Sequence, residues 1–236
     1  THPLSAMANT TPFWAIPITR KNHTWIENLP FPGTWISNKT TISEKPLSAL
    51  KLIYVIQTDN IDPKWQVRLD KSIKSLRVQE GRRRVEICIA DYSSKSILDS
   101  NPNFGGENQY FHQPLTGVFN RALCINHAYK RFITEEDDYF LSSDIDVVLP
   151  PDFIEAVSRR YIASKIEFCM TAPIHYFTME ASERITQYID PSLNRNLFSH
   201  HYHGGCILYS RTLFEKLRGY DEAFEGWGGE DDDFYD

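Results

Sequence analysis

The sequence predicts an α/β fold built on a parallel sheet flanked by helices, and three observations predict it. A short apolar, β-branched run, Leu52-Ile53-Tyr54-Val55-Ile56, stops at Thr58-Asp59-Asn60, as a buried strand stops at a loop. Residues 63–79 then place Trp65, Leu69, Ile73 and Leu76 at helical spacing. A second apolar run, Val85-Glu86-Ile87-Cys88-Ile89-Ala90, stops at Asp91-Tyr92-Ser93-Ser94. Strand, helix and strand over so short a span make a βαβ unit, whose two strands run parallel.

The remaining elements follow in order. Residues 1–48 are rich in Pro, Thr, Asn and Trp and lack periodicity. They read as an irregular arm that lays Phe13, Trp14, Trp25, Phe31 and Trp35 on a main body spanning 49–236. A Gly-, Asn- and Pro-rich loop covers 99–117, and a helix is expected over 118–132, with Phe119, Leu123, Ala128 and Phe132 apolar. The strand Tyr139-Phe140-Leu141-Ser142-Ser143 leads into Asp144-Ile145-Asp146. Pro150-Pro151-Asp152 opens a helix to 164, with Pro151 suited to a first turn. Ile166–Ala172 reads as a strand, 179–188 as a helix, Ile207-Leu208-Tyr209 as a short strand and 211–218 as a helix. The Gly- and acid-rich tail from Tyr220 starts as loop, and no internal repeat is visible.

Composition narrows the function classes. The 236 residues are 41% hydrophobic and 24% charged, which suits one α/β domain, or one large domain with an arm. A formal net charge of −6 gives a nucleic-acid partner no general attraction. The one basic cluster, Gly81-Arg82-Arg83-Arg84, reads as a solvated helix end before a strand. No apolar stretch reaches the ~20 residues needed to cross a bilayer, and no signal peptide is visible. The start at Thr1 leaves room for a removed leader or anchor. Cys88, Cys124, Cys169 and Cys206 show no close-spaced pair, and Cys88 and Cys169 read as buried free thiols rather than parts of a disulfide framework. Three Asn-X-Thr sequons (Asn9, Asn22, Asn38) leave a secretory compartment and a Thr/Asn-rich loop both open.

In open α/β sheets, ligands bind beyond the carboxyl ends of the strands. Thr58-Asp59, Asp91 and Asp144/Asp146 all fall there. Asp144 and Asp146, two apart at a strand end, point the same way if the strand continues. Such a pair can hold a divalent cation through hard oxygen ligands, and the cation neutralises a diphosphate leaving group. The bland alternative is a solvated Asp-X-Asp turn. In Gly226-Trp227-Gly228-Gly229-Glu230-Asp231-Asp232-Asp233, four consecutive acids repel one another in a way that folding does not require. Crowding can raise one carboxylate's pKa toward that of a general base. The glycines allow a loop to close, and Trp227 offers an apolar platform for a sugar face. Against this stands a disordered acidic chain end. Arg121, in Phe119-Asn120-Arg121-Ala122, would start a helix facing the crevice, where it could grip phosphate. In His200-His201-Tyr202-His203, alternation puts His201 and His203 on one face, but no partner pair lies at a usual zinc spacing.

Together these motifs resemble the inverting β-1,4-galactosyltransferase family and its GT-A relatives. Phe119-Asn120-Arg121-Ala122 looks like the donor-nucleotide motif, His203-Gly204-Gly205-Cys206 like the Gly-Gly strand segment, and Trp227–Asp233 like the acceptor-loop signature. The resemblance covers roughly residues 50–236 and implies a GT-A (Rossmann-like) mixed, mainly parallel sheet flanked by helices. It implies Asp146 as metal ligand for Mn²⁺ or Mg²⁺. Thr58, Asp91, Arg121, Asp144, Tyr202 and Gly205 fall in the donor site, with Asp91 like the uracil-contacting Asp of the wider class. It implies Asp231 as the base that deprotonates the acceptor hydroxyl. Trp227, Glu230 and Asp232 would contact sugar. The implied reaction is one inverting displacement on a UDP-sugar, toward a glycan acceptor. A bulky Tyr202 beside the sugar would favour galactose.

The family supplies a further metal-binding histidine after the acidic segment, and none lies between Asp233 and Asp236. A truncated chain, a disordered missing part or a substitute internal histidine is implied. The span from Asp146 to Tyr202 is longer than in animal members, which implies a microbial relative such as the polymerase-type transferases of glycosaminoglycan-like capsules. A cytoplasmic site would follow for a microbial protein and the Golgi lumen for a eukaryotic one. Two other readings stay open: a catalytically incomplete sugar-binding module of the same fold, and a metal-dependent phosphotransferase or nuclease. The latter would need a basic groove or a phosphate-cradling glycine loop, and neither is visible.

Overall fold

The computed structural model describes residues 14–15, 49–59, 63–171, 174–177, 183–184, 197–201, 205–224 and 229–235. The first half of the chain gives β1 (Trp14–Ala15), β2 (Leu50–Ile56), α1 (Trp65–Arg77), β3 (Val85–Asp91), α2 (Ile97–Ser100), β4 (Gln109–His112) and α3 (Arg121–Phe132). The second half gives β5 (Tyr139–Ser143), β6 (Val147–Val148), α4 (Phe153–Val157), β7 (Phe168–Met170), β8 (Ile174–Phe177) and β9 (Leu197–His201). It ends with β10 (Cys206–Ser210), α5 (Arg211–Leu217) and α6 (Glu230–Tyr235).

The main sheet has the order β4-β3-β2-β5-β10-β7. Neighbours from β4 to β5 pair in parallel, and β10 runs antiparallel to both β5 and β7. This is the mixed, mainly parallel α/β sheet expected. A smaller sheet, β6-β1-β8-β9, lies beside it.

Side-chain alternation divides the core. In β2, Leu52 and Tyr54 face Trp65, Leu69, Ile73 and Leu76 of α1 and Phe153, Ile154 and Val157 of α4. Ile53 faces the other way, into the cluster of Ala122, Cys124, Ile125, Ala128 and Phe132 of α3 with Phe214 and Phe234. Both faces of the sheet are thus buried, so its central strands read as continuous apolar runs. Lys51 is buried by pairing with Asp137 at 2.7 Å and donating to the Phe132 carbonyl at 2.8 Å.

Several elements differ from expectation. The loop expected over 99–117 contains α2, a 3-10 turn (Pro102–Phe104) and the edge strand β4. β4 buries its residues only in part, so it carries no run of apolar residues to announce it. The helix expected over 118–132 starts at Arg121, because the Asn120 side chain caps it by accepting from the Leu123 amide. The helix expected to reach 164 is α-helical only to Val157 and continues as a π-helical turn, Ser158–Ile162. The acidic segment expected as loop is α6: Gly229, at φ +95°, turns the chain, and Asp233 N donates to Gly229 O at 3.0 Å. The positive end of a helix dipole favours acids in the first turn, which supplies a folding reason for them that charge repulsion alone hides. The arm beyond Trp14–Ala15 and most of 179–188 lie outside the described residues. All four cysteines are free. No described helix is long and apolar enough to cross a membrane.

Candidate active site

The parallel strands β2, β3 and β5 end along one edge, at Ile56, Asp91 and Ser143. β10 starts at the same edge, since Cys206 registers with Ser143 and Asp144 N donates to Gly205 O at 2.9 Å. The expected Gly205 therefore meets Asp144 through its backbone. Two polar groups stand at this edge.

The first surrounds Asp91, which is fully buried. Its Oδ1 accepts from Ser93 N at 3.0 Å, and its Oδ2 accepts from Ile97 N at 2.8 Å and Tyr110 OH at 2.6 Å. Thr58 joins the group by donating its amide to Ser93 Oγ at 2.9 Å. Asp59 accepts from Ser94 N at 2.9 Å and from Ser94 Oγ, and these bonds hold its carboxyl below the usual range. The β3–α2 loop is thus stapled to the end of β2.

The second group centres on Arg121, the first residue of α3. A cation there opposes the helix dipole, so helix formation does not account for it. Its Nη1 donates to Asp231 Oδ1 at 2.8 Å and to Glu230 Oε1 at 3.2 Å, and its Nε lies 3.5 Å from Asp144 Oδ1. Burial works against the guanidinium charge, but the Asp144 and Asp231 carboxylates outweigh it and hold Arg121 well above its ordinary range. Burial pushes the Asp144 carboxyl up to about 6; Arg121 opposes this, and Asp231 and Glu230 add to it. α6 is held in place by Phe234, whose ring packs on Tyr220, Phe214 and Phe168.

Asp146 is buried close by, but not by strand alternation. β5 ends at Ser143, and Asp144–Val147 form a turn closed by Val147 N donating to Asp144 O at 3.3 Å. The condition that the strand continues through both acids is therefore not met. Ser72 of α1 anchors the exit of the turn by donating to Val147 O at 2.5 Å, and Ser75 accepts from Leu149 N at 3.0 Å.

The structure thus brings Arg121, Asp144, Glu230 and Asp231 into direct contact, with Asp146 two residues from Asp144, and gathers Thr58 and Asp91 around Ser93. Asp232 lies in α6, and Tyr202 and Trp227 fall outside the described residues. Among the described residues no three His, Cys, Asp or Glu side chains are grouped as a metal site. The side chains of the His200–His203 cluster are outside that set.

Sequence reasoning missed three residues here. Tyr220 OH donates to Asp231 Oδ1 at 2.8 Å, Tyr209 OH lies 2.5 Å from Tyr220 OH, and Ser142 Oγ lies 3.0 Å from Tyr209 OH. One signal was available: Ser142 and Tyr209 carry hydroxyls in otherwise apolar buried strands, and buried hydroxyls need partners.

Comparison with known proteins bears on the fold and on the C-terminal segment. A family model described as the N-terminal domain of galactosyltransferase matches residues 187–236. β-1,4-Galactosyltransferase 4 of Rattus norvegicus is 32% identical over 123 residues, which is 52% of this chain and 30% of that protein. The Homo sapiens protein of the same name is also 32% identical over 123 residues, with the same coverage. The chain therefore spans under a third of these relatives. A mannosyltransferase from Pyrobaculum calidifontis, solved with GDP-Man and Mn²⁺, aligns over 84% of this chain and 54% of its own, at 15% identity and TM-score 0.50. S. aureus TarS aligns over 79% of this chain and 32% of its own, at 12% identity and TM-score 0.50. The chain thus has the fold of GT-A glycosyltransferases and a galactosyltransferase-like C-terminal segment.

Proposed function

We propose that this chain is a metal-dependent inverting glycosyltransferase that moves galactose or an N-acetylhexosamine from a UDP-sugar to a glycan hydroxyl. One observation carries the proposal. Among the described residues, the largely buried guanidinium of Arg121 faces Asp144, Glu230 and Asp231 at the edge where α/β sheets bind ligands, with buried Asp146 in the adjoining turn.

Hard carboxylate oxygens at this edge suit a divalent cation, which Asp146 would hold. When bound, Mn²⁺ or Mg²⁺ would neutralise charge on the diphosphate. The chain's own residues do the rest. Arg121 and Gly205 hold the donor-binding turn at Asp144, whose carboxylate binds donor hydroxyls. Thr58 and Asp91 set the loop that receives the nucleotide, Asp91 through the backbone it anchors. Following the resemblance, Tyr202 would face the donor sugar, and Trp227, Glu230 and Asp232 would bind acceptor or donor sugar. The acceptor oxygen bonds to the anomeric carbon, and the bond from that carbon to the diphosphate oxygen breaks. UDP leaves with the electron pair, and the hydroxyl proton passes to Asp231. A general base at that point contributes about 10²–10⁴-fold.

The second reading is a catalytically incomplete sugar-binding module of the same fold. UDP release from UDP-galactose, UDP-N-acetylgalactosamine and UDP-glucose with Mn²⁺ separates the two. Turnover that disappears in Asp146→Ala is expected for the transferase. Binding of UDP without any turnover supports the module.

A further inference from the structure

The hydroxyl chain behind Asp231 has a direction. Tyr220 donates its single proton to Asp231 Oδ1, so in its contact with Tyr209 it can only accept. Tyr209 therefore donates to Tyr220, and by the same count Ser142 donates to Tyr209. Three hydroxyl dipoles align toward one carboxylate oxygen in a buried setting, where each link polarises the next.

The backbone of Tyr220 is fixed as firmly as its ring. Tyr220 N donates to Asn126 Oδ1 at 2.8 Å, and Asn126 Nδ2 donates to Tyr220 O at 2.9 Å. Gly219, at φ +78°, makes room for this clamp, since a Cβ there would lie 2.2 Å from Asn126 Oδ1. Asn126 and Arg121 belong to the same helix, α3, so one element sets both partners of Asp231. Among the described residues both partners meet Oδ1, and Oδ2 accepts from neither.

We infer that Tyr220 is a positioning residue for Asp231: with Arg121 it pins Oδ1 and leaves Oδ2 turned to the acceptor hydroxyl, with Tyr209 and Ser142 supporting it from behind. The inference rests on Asp231 being the base proposed above. A neutral phenol suits the task, because it orients the carboxylate without adding a second positive charge that would weaken its pull on a proton.

The test compares Tyr220→Phe, Tyr209→Phe and Asp231→Asn, with UDP release from the three UDP-sugars as the kinetic readout. Thermal midpoint and UDP binding with Mn²⁺ serve as controls. Tyr220→Phe is expected to lower kcat about tenfold or more, with donor KM and UDP affinity within about twofold. Tyr209→Phe is expected to lower kcat less, and it keeps the inference testable if Tyr220→Phe fails to fold. In the Asp231→Asn background, Tyr220→Phe should cost nothing further, because the residue it acts through is already disabled. An unchanged kcat in Tyr220→Phe beside an active wild type overturns the inference and leaves the proposed function standing. A full additional loss in the Asp231→Asn background also overturns it. No UDP release by folded wild type removes the proposed function, and this inference with it.

Discussion

Asp91 and Asp231 are both carboxylates at the edge of the sheet where β2, β3 and β5 end, and their surroundings are opposite. Asp91 is fully buried and, among the described residues, takes its side-chain hydrogen bonds from Ser93 N, Ile97 N and Tyr110 OH, which are neutral donors. Asp231 shares one guanidinium with Glu230 and Asp144, and its only other partner among the described residues is the Tyr220 phenol. A saturated carboxylate holds a loop in shape. A carboxylate competing for one cation keeps capacity for a ligand. Sequence position alone does not separate the two, since each follows an apolar strand or a glycine turn.

Substitutions can break this contrast, and the largest effect is expected at Asp231. Asp231→Asn should lower transfer about 10²–10⁴-fold while UDP binding with Mn²⁺ and the urea midpoint hold. Full activity in this variant would remove Asp231 from the chemistry. Asp91→Asn should act first on stability. Its amide NH₂ would face donors, costing about 2–4 kcal/mol of stability in urea unfolding. A variant as stable as the wild type would show that the Asp91 network does not hold the loop.

Smaller effects sharpen the same contrast. Arg121→Met leaves the neighbouring carboxylates without their cation and should cost on the order of 1–3 kcal/mol in metal-free buffer. Mn²⁺ should then raise the thermal midpoint of this variant more than that of the wild type, and equal shifts would speak against a cation-accepting cluster. Tyr110→Phe removes one of three donors from Asp91 and should cost about 1 kcal/mol of stability with kcat unchanged. A loss of kcat there, like that expected at Tyr220, would mean the two carboxylates are not divided as described.

Much of this was legible in the sequence, and the exceptions have physical causes. β2, α1 and β3 are long and apolar, and their periods show. β4 is short, at a sheet edge and half-buried, so its residues follow no pattern. The acids of 230–233 read as a site because their repulsion is visible in sequence, whereas the dipole of the helix that carries them is not. Arg121, Asp144 and Asp231 were each found from local motifs. Their mutual contact, across 110 residues between Arg121 and Asp231, belongs to the tertiary structure. The hydroxyl chain is of the same kind, because Tyr220 meets Asp231 only once Asn126 and Gly219 have set its backbone.

Calorimetric titration of UDP, with and without Mn²⁺, tests the proposed donor site at Arg121, Asp144 and Asp146 most directly. Binding that is tight with Mn²⁺, weak without it, and lost in Asp146→Ala is the predicted result. UDP affinity that ignores the metal, or no UDP binding by folded protein, would contradict it.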